Sequence, residues 1–183
     1  MFGFEAPLDR WKGLRDIIHR DVCEKGFDAG MDSFVESYGA KVLDASLLLL
    51  PAVGFLPGSD PRIRGTIAAI ERHMMRDGFV LRHDPREVTS EIQPIEGAFL
   101  ACTLWLADAC LLAGDLDKAQ TLFDRVVGVA NDLGLLAEEF DSGAGRQTGN
   151  FPQALTHIAL ISTAQNLNKA RHADDQPAMQ RSK

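Results

Sequence analysis

Two kinds of helical segment alternate along this chain, and the alternation constrains its fold more than any motif. The segments at residues 7–24, 61–74 and 116–133 carry apolar residues on one stripe only. Trp11, Leu14, Ile17, Ile18 and Val22 form the stripe of the first, and Ala119, Leu122, Phe123 and Val126 begin that of the last. The segments at 44–55, 95–113 and 151–167 are apolar around most of their circumference. A helix with one apolar stripe belongs on an outer layer, whereas one without a polar face has to be covered all round. Outer and inner helices then pair into three hairpins, repeating about every fifty residues. This describes an all-α chain with almost no strand, either an arc of an α/α toroid or an α-solenoid. Asp60-Pro61 opens the third helix with a capping residue and a first-turn proline, and Lys25-Gly26 closes the first. The folded part is expected over residues 1–169, with 170–183 a polar, aperiodic and disordered tail.

The connections are asymmetric. Those leading out of the inner helices are short, at Gly58-Ser59 and Gly114-Asp115, and those leading in are long and polar. The long loops therefore open on one face, where the N-termini of the inner helices converge, and function usually sits on such a face. The first, 34–44, holds the only tyrosine, Tyr38, and Asp44, which has the ordinary reading of an N-cap. The second, 78–99, holds Arg82, His83, Glu91, Glu96 and Phe99. Each has an everyday explanation too: Arg82 as a solvated charge, Glu96 as a first-turn acid, Phe99 as core. The third, 138–150, starts with Glu138 and Glu139 at the end of an apolar helix and runs on through Arg146, Gln147 and Asn150. Adjacent acids at a helix C-terminus face the negative end of its dipole, a placement that costs roughly a few tenths of a kcal/mol. A position unfavourable to stability points to chemistry. Gathered on one face, the three loops make a polar pocket able to hold a sugar by hydrogen bonds and a ring stack.

Composition narrows the partners. A net charge of −7 argues against nucleic acid, whose phosphates require clustered Lys and Arg. The longest apolar run, 47–56, is too short to span a bilayer. Cys23, Cys102 and Cys110 lack metal-ligand spacing, and no basic-then-apolar leader opens MFGFEAPLDRW. The expectation is a soluble protein in a reduced, cytoplasmic setting, without metal or cofactor.

Five stretches resemble one family. LAEEFD followed by GRQTGNFPQALTHIALI is similar to the last active-site segment of family 15 glycoside hydrolases, the glucoamylases and bacterial trehalase-like enzymes. FVESYGAKVLDASLLLLP, GFVLRHDP and IEGAFLACTLW resemble further segments of that family, so the likeness extends over residues 8–167. The resemblance implies a partial (α/α)6 toroid and an inverting glucosidase acting on a glucose-containing disaccharide or oligosaccharide. It implies Glu138 as the general base, with Arg82 and Glu96 holding sugar hydroxyls and Phe99 and Tyr38 as apolar walls. Glu139 would orient Glu138 or raise its pKa by like-charge repulsion. In GFVLRHDP a histidine replaces the family's usual aromatic, so Arg82 alone transfers from that pair.

The departure from the family is equally specific. Inverting glycosidases use a protonated acid and an ionised base roughly 6.5–9.5 Å apart. In this family the acid comes from a Trp-Glu segment upstream of the region matched here, and no Trp-Glu dipeptide occurs in the chain. Three hairpins are present where the complete toroid has six. The chain thus resembles the C-terminal half of a catalytic domain, inactive alone, with its open side expected on the first helix pair and covered by the missing N-terminal half or by self-association. The alternative is a protein-interaction module, because WLADACLLAGDLDKAQTLFDRVVGVANDLG resembles a tetratricopeptide hairpin. Such units recur at about 34 residues, and the longer pitch here weighs against them.

Overall fold

The computed structural model describes residues 6–85 and 97–174. Residues 86–96, and with them Glu91 and Glu96, lie outside the described residues, as do 1–5 and 175–183. Helices dominate: α1 Leu8–Lys25, a 3-10 helix Ala45–Leu49, α2 Pro61–Met74, α3 Leu100–Leu112, α4 Leu116–Val127 and α5 Ala154–Asp174. They form a partial toroid in which α2 packs with α3 and the 3-10 helix, and α4 with α3 and α5, while α1 joins the body through β1 and His19.

The central inner helix organises the rest. α3 packs against the 3-10 helix, α4 and α5, and Leu100, Leu104, Leu106 and Ala107 are wholly buried. On α2, Ile63, Ile67, Ile70 and Met74 recur at helical spacing and all are buried, as the stripe requires. Its N-terminus carries the expected cap, with Asp60 accepting from Arg62 N–H at 2.9 Å and Pro61 behind it. Gly58 lets the connection into α2 cross the end of α3: a Cβ there would lie 2.2 Å from the Leu112 carbonyl oxygen. The inner helices α3 and α5 are tied through the Asp108 carboxylate. Asp108 accepts from Thr163 Oγ1 and Asn166 Nδ2, both at 3.1 Å. Burial pushes the Asp108 carboxyl above its ordinary value, and these two donors only partly offset it. No helix among the described residues is long and apolar enough to cross a membrane.

Several boundaries differ from the sequence expectation. The expected inner helix at 44–55 shrinks to five residues of 3-10 helix, because Pro51 has no N–H to donate back along a helix. The expected helix at 116–133 stops at Val127. Asn131 Oδ1 then accepts from the N–H groups of Leu133 (3.1 Å) and Leu135 (2.8 Å), which holds the chain in a turn. The sixth helix opens at Ala154 instead of 151 and runs on to Asp174, so residues 170–174, expected in the tail, are helical.

The expectation of almost no strand missed the short ladders between the helices. β1 (Phe27–Asp28) pairs with β2 (Ser33–Phe34), and β3 (Met75–Arg76) with β4 (Phe79–Val80), both antiparallel. β5 (Ala98–Phe99), β6 (Glu139–Asp141) and β7 (Arg146–Thr148) form a three-stranded antiparallel sheet in that order. The three-stranded sheet joins the second long loop to the third, and β4 lies beside β5.

Candidate active site

The segment ending in Glu138 is fixed at every backbone polar group. Leu136 N–H points to His157 Nε2 at 3.4 Å, and Leu136 O accepts from Gln153 N–H at 3.0 Å. Ala137 N–H donates to Gln147 Oε1, and Ala137 O accepts from Thr156 Oγ1 at 3.0 Å. Glu138 N–H donates to Asn150 O at 2.9 Å, and Glu138 O accepts from Leu100 N–H at 3.1 Å. Leu136 and Ala137 are buried, so satisfying these groups is obligatory. The sources are specific: the partners come from the first residue of α3, from the loop around β7 and from the start of α5. Glu138 is thereby held between the N-termini of two inner helices, the positive ends of their dipoles. The sequence expectation put it at the end of a helix. In the structure α4 has ended eleven residues earlier, at Val127, so the negative helix end is not its environment.

The Glu138 side chain is half-buried. Its Oε2 accepts from Asn150 N–H at 3.1 Å and from Asn150 Nδ2 at 2.9 Å. Oε1 has no hydrogen bond to a described residue. Gly149 makes the wrap possible: its φ is +77°, and a Cβ would sit 3.0 Å from both Cβ and Oε2 of Glu138. Glu139 sits in β6 opposite Phe99 of β5, and its Oε2 accepts from Gly97 N–H at 2.9 Å. The two acids therefore face different partners, Glu138 toward β7 and α5, Glu139 toward β5. Phe99 is half-buried and packs on the main core, beside the site backbone.

Arg82 belongs to a second cluster, at the start of the 3-10 helix. Its guanidinium is paired with the buried Asp44 carboxylate, which also caps the helix by accepting from Ser46 N–H at 2.7 Å. The capping role expected of Asp44 is there, together with a charge partner the sequence did not reveal. His83 Nδ1 lies 3.5 Å from the other Asp44 oxygen, and Leu43 N–H points to Asp84 Oδ2 at 3.4 Å. Burial raises the Asp44 carboxyl, but Arg82 and Ser46 outweigh it and leave the group below its ordinary value. Tyr38 stands apart. Its ring is about half exposed and lies against the end of α1, 6.0 Å from Lys25 Nζ.

Among the expected residues, then, Glu139 and Phe99 are paired on the β5–β6–β7 sheet with Glu138 just ahead of β6, Arg82 joins Asp44, and Tyr38 turns to α1. Glu96 lies outside the described residues. Sequence reasoning passed over Thr156 and His157 as site builders and named Gln147 on the loop without giving it a role. Gln147 Nε2 also donates to Val129 O (2.9 Å) and Leu135 O (3.2 Å), so one amide fixes three backbone groups. The signal was present in GRQTGN, a polar run directly after the acid pair.

Among the described residues no group of three or more His, Cys, Asp and Glu could hold a metal ion. Burial pushes the thiols of Cys102 and Cys110 up to about 12, which leaves them protonated and unreactive near neutral pH.

The arc of helical hairpins is that of a partial α/α toroid. Solved structures agree on the fold: the chain matches one described as a wild-type glycosidase with a TM-score of 0.77 at 20% identity, covering 90% of this chain and 46% of that one. A variant glycosidase solved in complex with glucose matches with the same score. The chain belongs to the glycosyl hydrolases family 15, which matches residues 1–165. It is 40% identical over 168 residues to a trehalase of Thermoplasma volcanium, covering 92% of this chain and 27% of that protein. It is 38% identical over 177 residues to a trehalase of Mycobacterium tuberculosis, covering 97% of this chain and 26% of that protein. The chain thus spans about a quarter of the length of the curated relatives it matches. The tetratricopeptide alternative finds no support in these likenesses.

Proposed function

We propose that this chain is the base-carrying part of an inverting family 15 glucosidase that cleaves a glucose-containing disaccharide or oligosaccharide. Glu138 takes a proton from a water molecule as its oxygen attacks the anomeric carbon. The glycosidic C–O bond breaks on the opposite side, and the leaving oxygen is protonated by an acid outside this chain. The observation that carries the reading is the fixation of residues 136–138, which aims one carboxylate with a single committed oxygen. A general base must present a lone pair at a set position, and Oε1 is the oxygen left for it. Arg82, pre-set by Asp44, is the donor for sugar hydroxyls in this reading, and Glu96 and Phe99 line the pocket as the resemblance implies. Glu139 orients the Glu138 loop through Gly97. The trehalases among the relatives make trehalose the first substrate to try.

The chain alone should give no measurable hydrolysis of trehalose, maltose or isomaltose, because loss of a general acid removes about 10²–10⁴-fold in rate. Supplied with the remainder of the catalytic domain, it should release equal amounts of β- and α-glucose from α,α-trehalose, the attacked residue inverted and the leaving residue unchanged, followed by NMR before mutarotation. Release of α-glucose alone would mean retention and would overturn the single-displacement reading. Robust turnover by the 183-residue chain alone would place the acid within it.

A further inference from the structure

The second and third long loops meet through the side chains of their hairpins. The β3–β4 hairpin turns through Asp77 and Gly78, both with positive φ, the two-residue turn that matches the twist of paired strands. Ser142 Oγ, at the start of the β6–β7 turn, donates to Asp77 Oδ2 at 2.7 Å, across 65 residues of chain. Phe79 of β4 is buried and packs on Phe140 of β6, with ring centroids 5.0 Å apart and planes tilted by 44°. Arg125, in the last turn of α4, joins both contacts. Its guanidinium lies 5.8 Å from the Phe79 ring centroid and rests against Gly78, where a Cβ would stand 2.5 Å from Cζ. Its Nη1 points to Asp77 O at 3.4 Å. Although exposed, Arg125 is therefore not spread into solvent: it sits where two hairpins and an outer helix converge.

We propose that Asp77, Phe79, Phe140, Ser142 and Arg125 form a brace of positioning residues that registers the Glu138 base to the sugar held by Arg82. This rests on the functional reading above and deepens it at the same site. Phe79 stands three residues before Arg82, and Phe140 two after Glu138. The two functional side chains are anchored to different parts of the array. Arg82 pairs with Asp44, and its carbonyl oxygen accepts from Ala45 N–H at 3.2 Å, at the start of the 3-10 helix. Residues 136–138 are tied instead to α3, α5 and the loop around β7. A base and a sugar donor fixed to separate anchors need a register between them, and the brace supplies one by side chains beside the β5–β6 ladder. Reacting groups tolerate little error, since a misplacement of about 1 Å costs on the order of 10²-fold in rate. A sugar still bound through Arg82 but met by a displaced base loses kcat and keeps KM.

The test is turnover of trehalose by the 183-residue chain assembled with the remainder of its catalytic domain. Ser142→Ala, Phe140→Leu and Arg125→Lys should each lower kcat about tenfold and leave KM within about twofold. Arg125→Lys belongs with them because it keeps the charge and loses the planar face. Ser142→Thr and Phe140→Tyr keep the hydroxyl and the ring, and should restore the parent's kcat. Asp115→Ala removes the α4 N-cap, whose Oδ1 accepts from Lys118 N–H at 3.1 Å, and should lower the melting temperature without lowering kcat. The parent's kcat in the first three variants, an equal fall with Asp115→Ala, or no recovery with the conservative pair would each overturn the brace. If Glu138→Gln abolishes turnover while the brace variants leave it unchanged, the base stands and the brace falls. If the assembly hydrolyses nothing, or Glu138→Gln changes nothing, the base reading falls and the isolated chain decides the brace. There Ser142→Ala should speed hydrogen exchange at the Ala98–Phe140 ladder, and unchanged exchange would overturn it.

Discussion

Gln147 shows how much a single side chain contributes to placing the proposed base. Its amide accepts from Ala137 N–H and donates to Val129 O and Leu135 O, bridging the turn after α4 to the residue before Glu138. Truncation to Ala leaves a buried backbone N–H without a partner, at a cost of about 1–3 kcal/mol. Gln147→Ala should therefore lower the unfolding free energy by about that amount in urea titrations, with the denaturant slope unchanged. A variant as stable as the parent would show that water or a neighbour replaces the amide. Glu138 and the polar run after it were legible in the sequence, because acids and amides cluster there with no apolar period to explain them. The roles of Thr156 and His157 were not. Both sit inside an apolar helix where a hydroxyl or imidazole reads as incidental, and only the fold turns them toward the backbone of 136 and 137.

At the scale of elements, the helix types were legible and their ends were not. An apolar stripe on α2 or an all-round apolar α3 is a property of many residues and survives local irregularity. Ends are decided by one or two residues: Pro51 stops the 3-10 helix, and Asn131 fixes the turn after α4. The two- and three-residue strands have no period for a sequence to display. Asp44 illustrates the limit at an element's start. The sequence gives its capping role, but the pairing with Arg82 crosses from one loop to another. That pairing predicts a pH dependence. The folded Asp44 carboxyl titrates below its unfolded value near about 4, so its stabilisation is complete above that pH and is lost as pH falls through the lower folded value. Asp44→Asn should lower the melting temperature at pH 7, and the gap to the parent should narrow on acidification below about pH 4. A gap that stays constant across that range would remove Asp44 from the titration.

For the whole molecule, the alternation of outer and inner helices carried the toroid arc, and the family match over residues 1–165 agrees with it. The sequence expectation put the uncovered side on the first helix pair. The structure has it there, with Trp11 54% exposed, and also on α5, with Ile158 61% exposed. The second edge was hidden because an all-round apolar helix reads as covered on all sides. The central claim is that Glu138 acts as a base and not as a structural acid. The direct measurement is hydrolysis by the chain assembled with the rest of its catalytic domain, compared with the same assembly carrying Glu138→Gln. Glutamine keeps the shape and one carbonyl oxygen for Asn150 but cannot take a proton. The account predicts a fall in kcat of about 10²–10⁴-fold, with KM and melting temperature nearly unchanged. A variant that retains the parent's kcat would contradict it.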